Sequence, residues 1–95
     1  MSASYETMIV LSANLDEDAT KALIEKFTGL IAENGAVDSI DEWGKRRLAY
    51  PIQKETEGYY VLINFTSGTE FPKELDRIYH ITDGVLRTMI VRKAA

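Results

Sequence analysis

Tyr59-Tyr60-Val61-Leu62-Ile63-Asn64-Phe65-Thr66 is the stretch on which the fold turns. Tyr59, Val61, Ile63 and Phe65 alternate with Tyr60, Leu62 and Asn64, the period-two pattern of a strand with two distinct faces. Its residue types, aromatic and β-branched, suit a pleated surface. Ser67-Gly68-Thr69 breaks the pattern, and the period then changes. Phe71, Leu75, Ile78 and Tyr79 fall on one face of a short helix, with Pro72 tolerated in its first turn. Thr82-Asp83-Gly84 turns the chain into a last strand, Val85 to Arg92.

The same alternation of periods precedes this stretch. Tyr5 to Ser12 reads as a strand, with Thr7, Ile9 and Leu11 on one side and Met8 and Val10 on the other. Both sides are apolar, as in a central strand. Asn14-Leu15-Asp16-Glu17 reads as a capping box with Asn14 as the cap and Glu17 reaching back. Acids there suit the positive end of a helix dipole. Ala19, Leu23, Phe27, Leu30 and Ile31 recur at helical spacing, and Gly35 is expected to end the helix in a left-handed conformation. Ala36 to Ile52 reads as a long second strand in which Gly44 marks a bulge or close approach and Pro51 a sheet edge or the end of regular pairing. Lys54-Glu55-Thr56-Glu57-Gly58 reads as a turn.

The predicted order is β-α-β-β-α-β. Two right-handed crossover units sharing one sheet give the ferredoxin-like, α+β arrangement: a four-stranded antiparallel sheet, two helices on one face, the other face open. The 95 residues suffice for one such domain spanning 1–95. A 45% hydrophobic content is enough to build a core without staples.

Composition excludes several chemistries. There is no cysteine, so no disulfide frame, thiolate metal site or cysteine nucleophile exists. His80, the sole histidine, sits at a helix end, where its ring charge suits the dipole. No transition-metal set can be assembled around it, and no cofactor is expected. Asp16-Glu17-Asp18 lacks the glycine and distal glutamate of a calcium loop. Neither Gly-x-Ser-x-Gly nor a phosphate-binding Gly-x-x-x-x-Gly-Lys-Ser/Thr occurs. Acylphosphatases share this topology and are the fair enzyme alternative, but they need an arginine after the first strand; here the loop is Ser12-Ala13-Asn14-Leu15. Met1 to Glu6 lacks the basic start and apolar run of a signal peptide, and Met8 to Leu11 is too short to span a bilayer. A cytoplasmic chain with no membrane and no small-molecule substrate is expected.

The net charge of −4 speaks against nucleic acid until the charges are placed. From Trp43 to Lys54 the chain carries Lys45, Arg46, Arg47 and Lys54 with no acid. After Asp83 it carries Arg87, Arg92 and Lys93, again with no acid. Much of the negative charge lies on the first helix instead. Basic side chains interleaved with Trp43 and Tyr50 neutralise phosphates and offer faces for stacking. An edge strand protected from aggregation has the same composition, and composition alone does not separate the two. Gly58 to Phe65 faintly echoes the third strand of RNA-recognition motifs, but the first strand has Met8 and Val10 in place of aromatics. Met8, Val10, Tyr60 and Leu62 make an apolar open face that fits a protein partner. A free single-strand RNA-binding domain remains the second reading.

Gly44-Lys45-Arg46-Arg47-Leu48-Ala49-Tyr50-Pro51-Ile52 is similar to the signature of a known family, protein six of the bacterial small ribosomal subunit. Tyr5-Glu6, Gly58-Tyr59-Tyr60 and Arg87-Thr88-Met89-Ile90-Val91 fall where that family has like residues. The resemblance implies a ribosomal subunit with no catalytic residue, pairing with protein eighteen of the small subunit and then binding the central domain of small-subunit ribosomal RNA. It implies RNA contact at Arg46, Arg47, Tyr50, Lys54 and Arg87, to which the basic stretch adds Lys45. The sequence departs from the family at Ser2-Ala3-Ser4, where members often carry a basic residue or two, and at Ala95, where some continue into a charged tail.

Overall fold

In the computed structural model, which describes residues 2–52 and 54–93, six elements follow in the order β1 (Ser2–Ser12), α1 (Glu17–Asn34), β2 (Gly35–Ile52), β3 (Glu55–Gly68), α2 (Phe71–His80) and β4 (Val85–Arg92). Met1, Gln53, Ala94 and Ala95 lie outside the described residues, among them the glutamine of the basic stretch and the residue at which the sequence ends. The strands form one sheet in the order β2-β3-β1-β4, every neighbouring pair antiparallel. This is the ferredoxin-like arrangement that the changes of period predict.

Alternation sorts the central strands as expected. Tyr5, Thr7, Ile9 and Leu11 of β1 and Tyr59, Val61, Ile63 and Phe65 of β3 face the helices, and all but Tyr59 are buried. Against them α2 buries Phe71, Leu75 and Tyr79, with Ile78 packed at the margin. Ring contacts bind the elements together: Phe27 of α1 meets Tyr79 of α2 edge-on at 4.9 Å, and Phe65 of β3 meets Phe71 of α2 edge-on at 6.1 Å.

The strands outrun their sequence limits. β1 begins at Ser2, not Tyr5, because Ser2, Ala3 and Ser4 pair with Gly68, Ser67 and Thr66. β3 begins at Glu55, so of the expected turn from Lys54 to Gly58 only Lys54, with a φ of 67°, lies outside the strand. Small polar residues read as breakers, but a paired neighbour supplies the hydrogen bonds that local propensity does not.

Three details of α1 also correct the sequence reading. The cap is Asp16, whose carboxylate accepts from the Ala19 N–H at 2.7 Å. Asn14 instead donates its backbone N–H to Ser12 Oγ at 3.2 Å. The buried stripe is Thr20, Ile24, Phe27 and Ile31, turned by about one position from the one expected. Leu23 and Leu30 flank it, and Thr20 is admitted because its hydroxyl donates to the Asp16 carbonyl at 3.0 Å. Gly35 is extended (φ 175°), not left-handed. Glycine is required there by proximity: a Cβ would lie 2.1 Å from the Thr66 carbonyl oxygen.

One polar pair sits inside the core. Thr7 Oγ1 and Tyr79 Oη hydrogen-bond at 3.1 Å, with Thr7 fully buried. Burial holds the Tyr79 phenol well above its usual pKa. Replacing Tyr79 with Phe strands the Thr7 hydroxyl and should cost about 1–3 kcal/mol, whereas Thr7→Val with Tyr79→Phe should restore most of it. Urea melts of the two single variants and the double variant give the coupling; additive losses would show that the pair is not a unit. The unfolded chain ionises this phenol near pH 10 and the folded chain does not. Stability is therefore full below about pH 10 and falls above it, by about 1.4 kcal/mol per pH unit for this group, a decline that Tyr79→Phe should lessen.

Candidate nucleic-acid interface

The basic stretch lies on β2, an edge strand, and its geometry is set by a bulge. The β2–β3 register shifts between Glu42 and Gly44, leaving Trp43 as the extra residue, and Gly44 takes a φ of 79° that favours glycine. Beyond it Lys45 pairs with Tyr59, Arg46 with Gly58 and Arg47 with Glu57. Residues directly opposite one another share a face. Arg46 therefore lies on the open face, with Tyr60, while Lys45 and Arg47 lie on the face that carries the helices.

Two small surfaces result. On the helix side Lys45 lines a cleft of about 390 Å³ with Glu17, Lys21, Glu42 and Tyr59. The Tyr59 hydroxyl donates to Glu42 Oε1 at 3.1 Å, and its pKa is raised by burial first, then by that hydrogen bond and the charges of Glu42 and Glu17. Lys45 and Lys54 also share a hollow with Asn14, Glu55 and Glu57. On the open face Arg87 Nη1 donates to the Tyr50 hydroxyl at 3.0 Å, joining β4 to the end of β2 across the sheet. Tyr50 is 58% exposed. Among the described residues, none of Lys45, Arg46, Arg47, Lys54 and Arg87 has a carboxylate oxygen within 4.0 Å.

The four apolar residues predicted to form the open face all point to it, but unequally. Met8, Tyr60 and Leu62 are half-buried, whereas Val10 is only 3% exposed and offers a partner almost nothing. It lies between Tyr60 and Arg87 in the ladder, close to Leu48 above Gly58. The sequence reading missed Met89 and Val91, which are 55% and 48% exposed and pair with Met8 and Glu6. It offered Trp43 as a stacking face without placing it; the ring lies near-parallel to Tyr60, with centroids 6.4 Å apart and planes at 7°. Alternation along β4 could have flagged Met89 and Val91 only with the β1–β4 register in hand.

The loop after β1 carries no cation of its own. Ser12 Oγ and the Ala13 N–H both donate to one Glu55 carboxylate oxygen, at 2.6 and 3.2 Å, so an acid already holds that turn. His80 keeps Nδ1 2.8 Å from the Asp76 carbonyl, at an exposed helix end.

The family model described as ribosomal protein S6 matches residues 4–92. The chain belongs to the ribosomal protein S6 family. It is 60% identical over 90 residues to small ribosomal subunit protein bS6 of Caldanaerobacter subterraneus subsp. tengcongensis, covering 94% of this chain and 95% of that one. With the bS6 of Clostridium novyi it shares 58% over 89 residues, 93% and 94% of the two chains. The crystal structure of 30S ribosomal protein S6 from Thermotoga maritima superposes with a TM-score of 0.92 at 29% identity, covering 98% of this chain and 89% of that one. An uncharacterized protein of the same organism, 15% identical at a TM-score of 0.65, shares the fold alone.

In this S6-family chain the meeting of β2 with the open face depends on Gly58. A Cβ at that position would sit 2.4 Å from Val10 Cγ1 and 3.4 Å from Leu48 Cδ2. Gly58→Ala should therefore cost about 1–3 kcal/mol by overpacking, and Val10→Ala in the same chain should cost less than it does in the parent. Denaturant melts of the four chains test this; equal costs for Val10→Ala in both backgrounds would show that the two side chains do not compete.

Proposed function

We propose that this chain is a structural, non-enzymatic subunit of the bacterial small ribosomal particle, working in the cytoplasm as part of the ribosome. It binds the central domain of small-subunit ribosomal RNA together with protein eighteen of the small subunit. Membership of the S6 family across residues 4–92 is the observation that carries this reading. Arg46 and Arg87, with Tyr50 beside Arg87, are the proposed RNA contacts on the open face; Lys45 and Lys54 add charge at the hollow near the end of β2, and Arg47, turned to the helix side, is proposed to decorate the edge. The apolar strip of Met8, Tyr60 and Leu62, underlain by Val10, is the proposed surface for protein eighteen.

Two features support a shared task. The unpaired cations are free to neutralise phosphate without first breaking an ion pair. The chain as a whole, at −4, attracts a polyanion poorly at long range, so a partner's positive charge is needed for useful affinity. In gel-shift titrations against a central-domain RNA fragment, the isolated chain should bind weakly and the pair with protein eighteen much more tightly. Equal, tight binding by both would overturn the shared role.

The register separates the two arginines. Arg46 stands on the same open face as the Tyr50–Arg87 pair, while Arg47 faces the other way, opposite Glu57. Each phosphate neutralised contributes roughly 0.7–0.9 to the slope of log affinity against log salt. Arg46→Ala in the complex should flatten that slope by about one such unit and weaken different RNA sequences alike. Arg47→Ala should leave it nearly unchanged. Salt titrations of both variants decide, and two unchanged slopes would make the stripe a solvated edge.

A further inference from the structure

Trp43 is held more firmly than an exposed edge residue needs to be. The bulge at Gly44 turns it onto the open face, where Tyr60 lies against part of one side of the indole in a near-parallel, offset arrangement. Its Nε1–H donates to Asp41 Oδ2 at 3.0 Å, so the polar edge is satisfied locally and the ring plane is fixed. Even so, Trp43 is 40% exposed. Arg46, three residues on and across from Gly58, stands on the same face.

We infer that the outer face of Trp43 is a stacking platform for one unpaired base of the bound RNA, with Arg46 neutralising a neighbouring phosphate. The inference rests on the RNA-binding reading above and specifies what that part of the site takes. A rigid ring loses little freedom on binding, so its contact surface converts efficiently into affinity. Along its length duplex RNA shows phosphates and groove edges but no base faces; an indole is met by an unstacked base of a loop, bulge or end. An arginine from a protein partner could also cover the ring, but Arg46 on the same face favours a polyanion in its place, and the Asp41 carboxylate beside the indole is already engaged by the ring N–H.

The chain has one tryptophan, so its emission reports on this ring alone. The experiment uses the complex with protein eighteen, with the Trp43→Phe complex as the blank for the partner's signal. Adding a central-domain RNA fragment, or a short single-stranded oligonucleotide, should quench Trp43; a long duplex at the same nucleotide concentration, whose terminal base pairs are few, should not. Trp43→Ala should weaken binding about tenfold, as expected for loss of one stacked base, without changing the salt slope that Arg46→Ala flattens. Trp43→Phe should keep most of the affinity, which separates lost stacking from a loosened bulge. Quenching that is complete when protein eighteen alone is added would assign the ring to that partner and overturn the platform. Equal quenching by duplex would overturn it too. If the complex binds the fragment with Trp43 emission unchanged, the platform falls and the RNA-binding role stands. If the complex binds no central-domain RNA, that role falls and the platform with it.

Discussion

Eleven consecutive pairings between β1 and β3, from Ser2 opposite Gly68 to Ser12 opposite Gly58, set the side of the sheet on which the other residues lie. A slip of β1 by one residue would exchange its faces, sending Ile9 and Leu11 to the open side and Glu6 and Met8 under the helices. The core forbids that exchange. Thr7 is the informative member, because it is polar and fully buried, and it is accepted there only through its hydrogen bond to Tyr79 of α2. One side chain thus ties the register of the central ladder to the seating of a helix. Loss of this pair would weaken the docking of α2 as well as the fit of β1.

The edge strand β2 takes its orientation from that ladder, with two corrections of phase. Val37 stands opposite Phe65 on the helix side, but the register shift before Ser39 puts Ile40 and Glu42 on that side. The second shift, at Trp43, reverses the phase again. Without it Lys45 and Arg47 would share the open face and Arg46 would lie under it. The glycine that permits the bulge therefore selects which cation accompanies Tyr60, Tyr50 and Arg87. It is also the reason that the tryptophan stands clear of the strand it interrupts. A local backbone feature decides the chemistry of the whole face.

Much of this was legible in the sequence where the signal is local. The alternation in β3, the stripe Phe71, Leu75 and Tyr79, the limits of β4 and the presence of a bulge at Gly44 all follow from neighbours in the chain. What was not legible depends on distant partners. The extension of β1 through Ser2 to Ser4 needs Thr66 to Gly68 beside it, and the demand for glycine at position 35 comes from the Thr66 carbonyl. Asp16 and Asn14 were equivalent caps by type, and only the entry of the chain into α1 separates them. For the same reason Val10 looked as available as Met8. Leu48 and the Tyr50–Arg87 pair reach its neighbourhood from other strands.

An acidic chain proposed to meet RNA must keep most of its negative charge away from the phosphates, and the layering of this fold does so for the helix acids, leaving Glu6 and Asp41 on the open face. Glu17 and Asp18 open α1, and Glu25 and Glu33 continue along it, on the side of the sheet opposite Arg46, Tyr50 and Arg87. Packed layers lie roughly 10 Å apart, which exceeds the Debye length of about 8 Å at physiological salt. A phosphate resting on the open face would feel the arginines at contact and the helix acids only through screening. At low salt the same acids act at longer range and oppose approach from the helix side. The net charge of −4 therefore limits how fast and from which direction such a chain is approached, more than how firmly its open face can hold an anion.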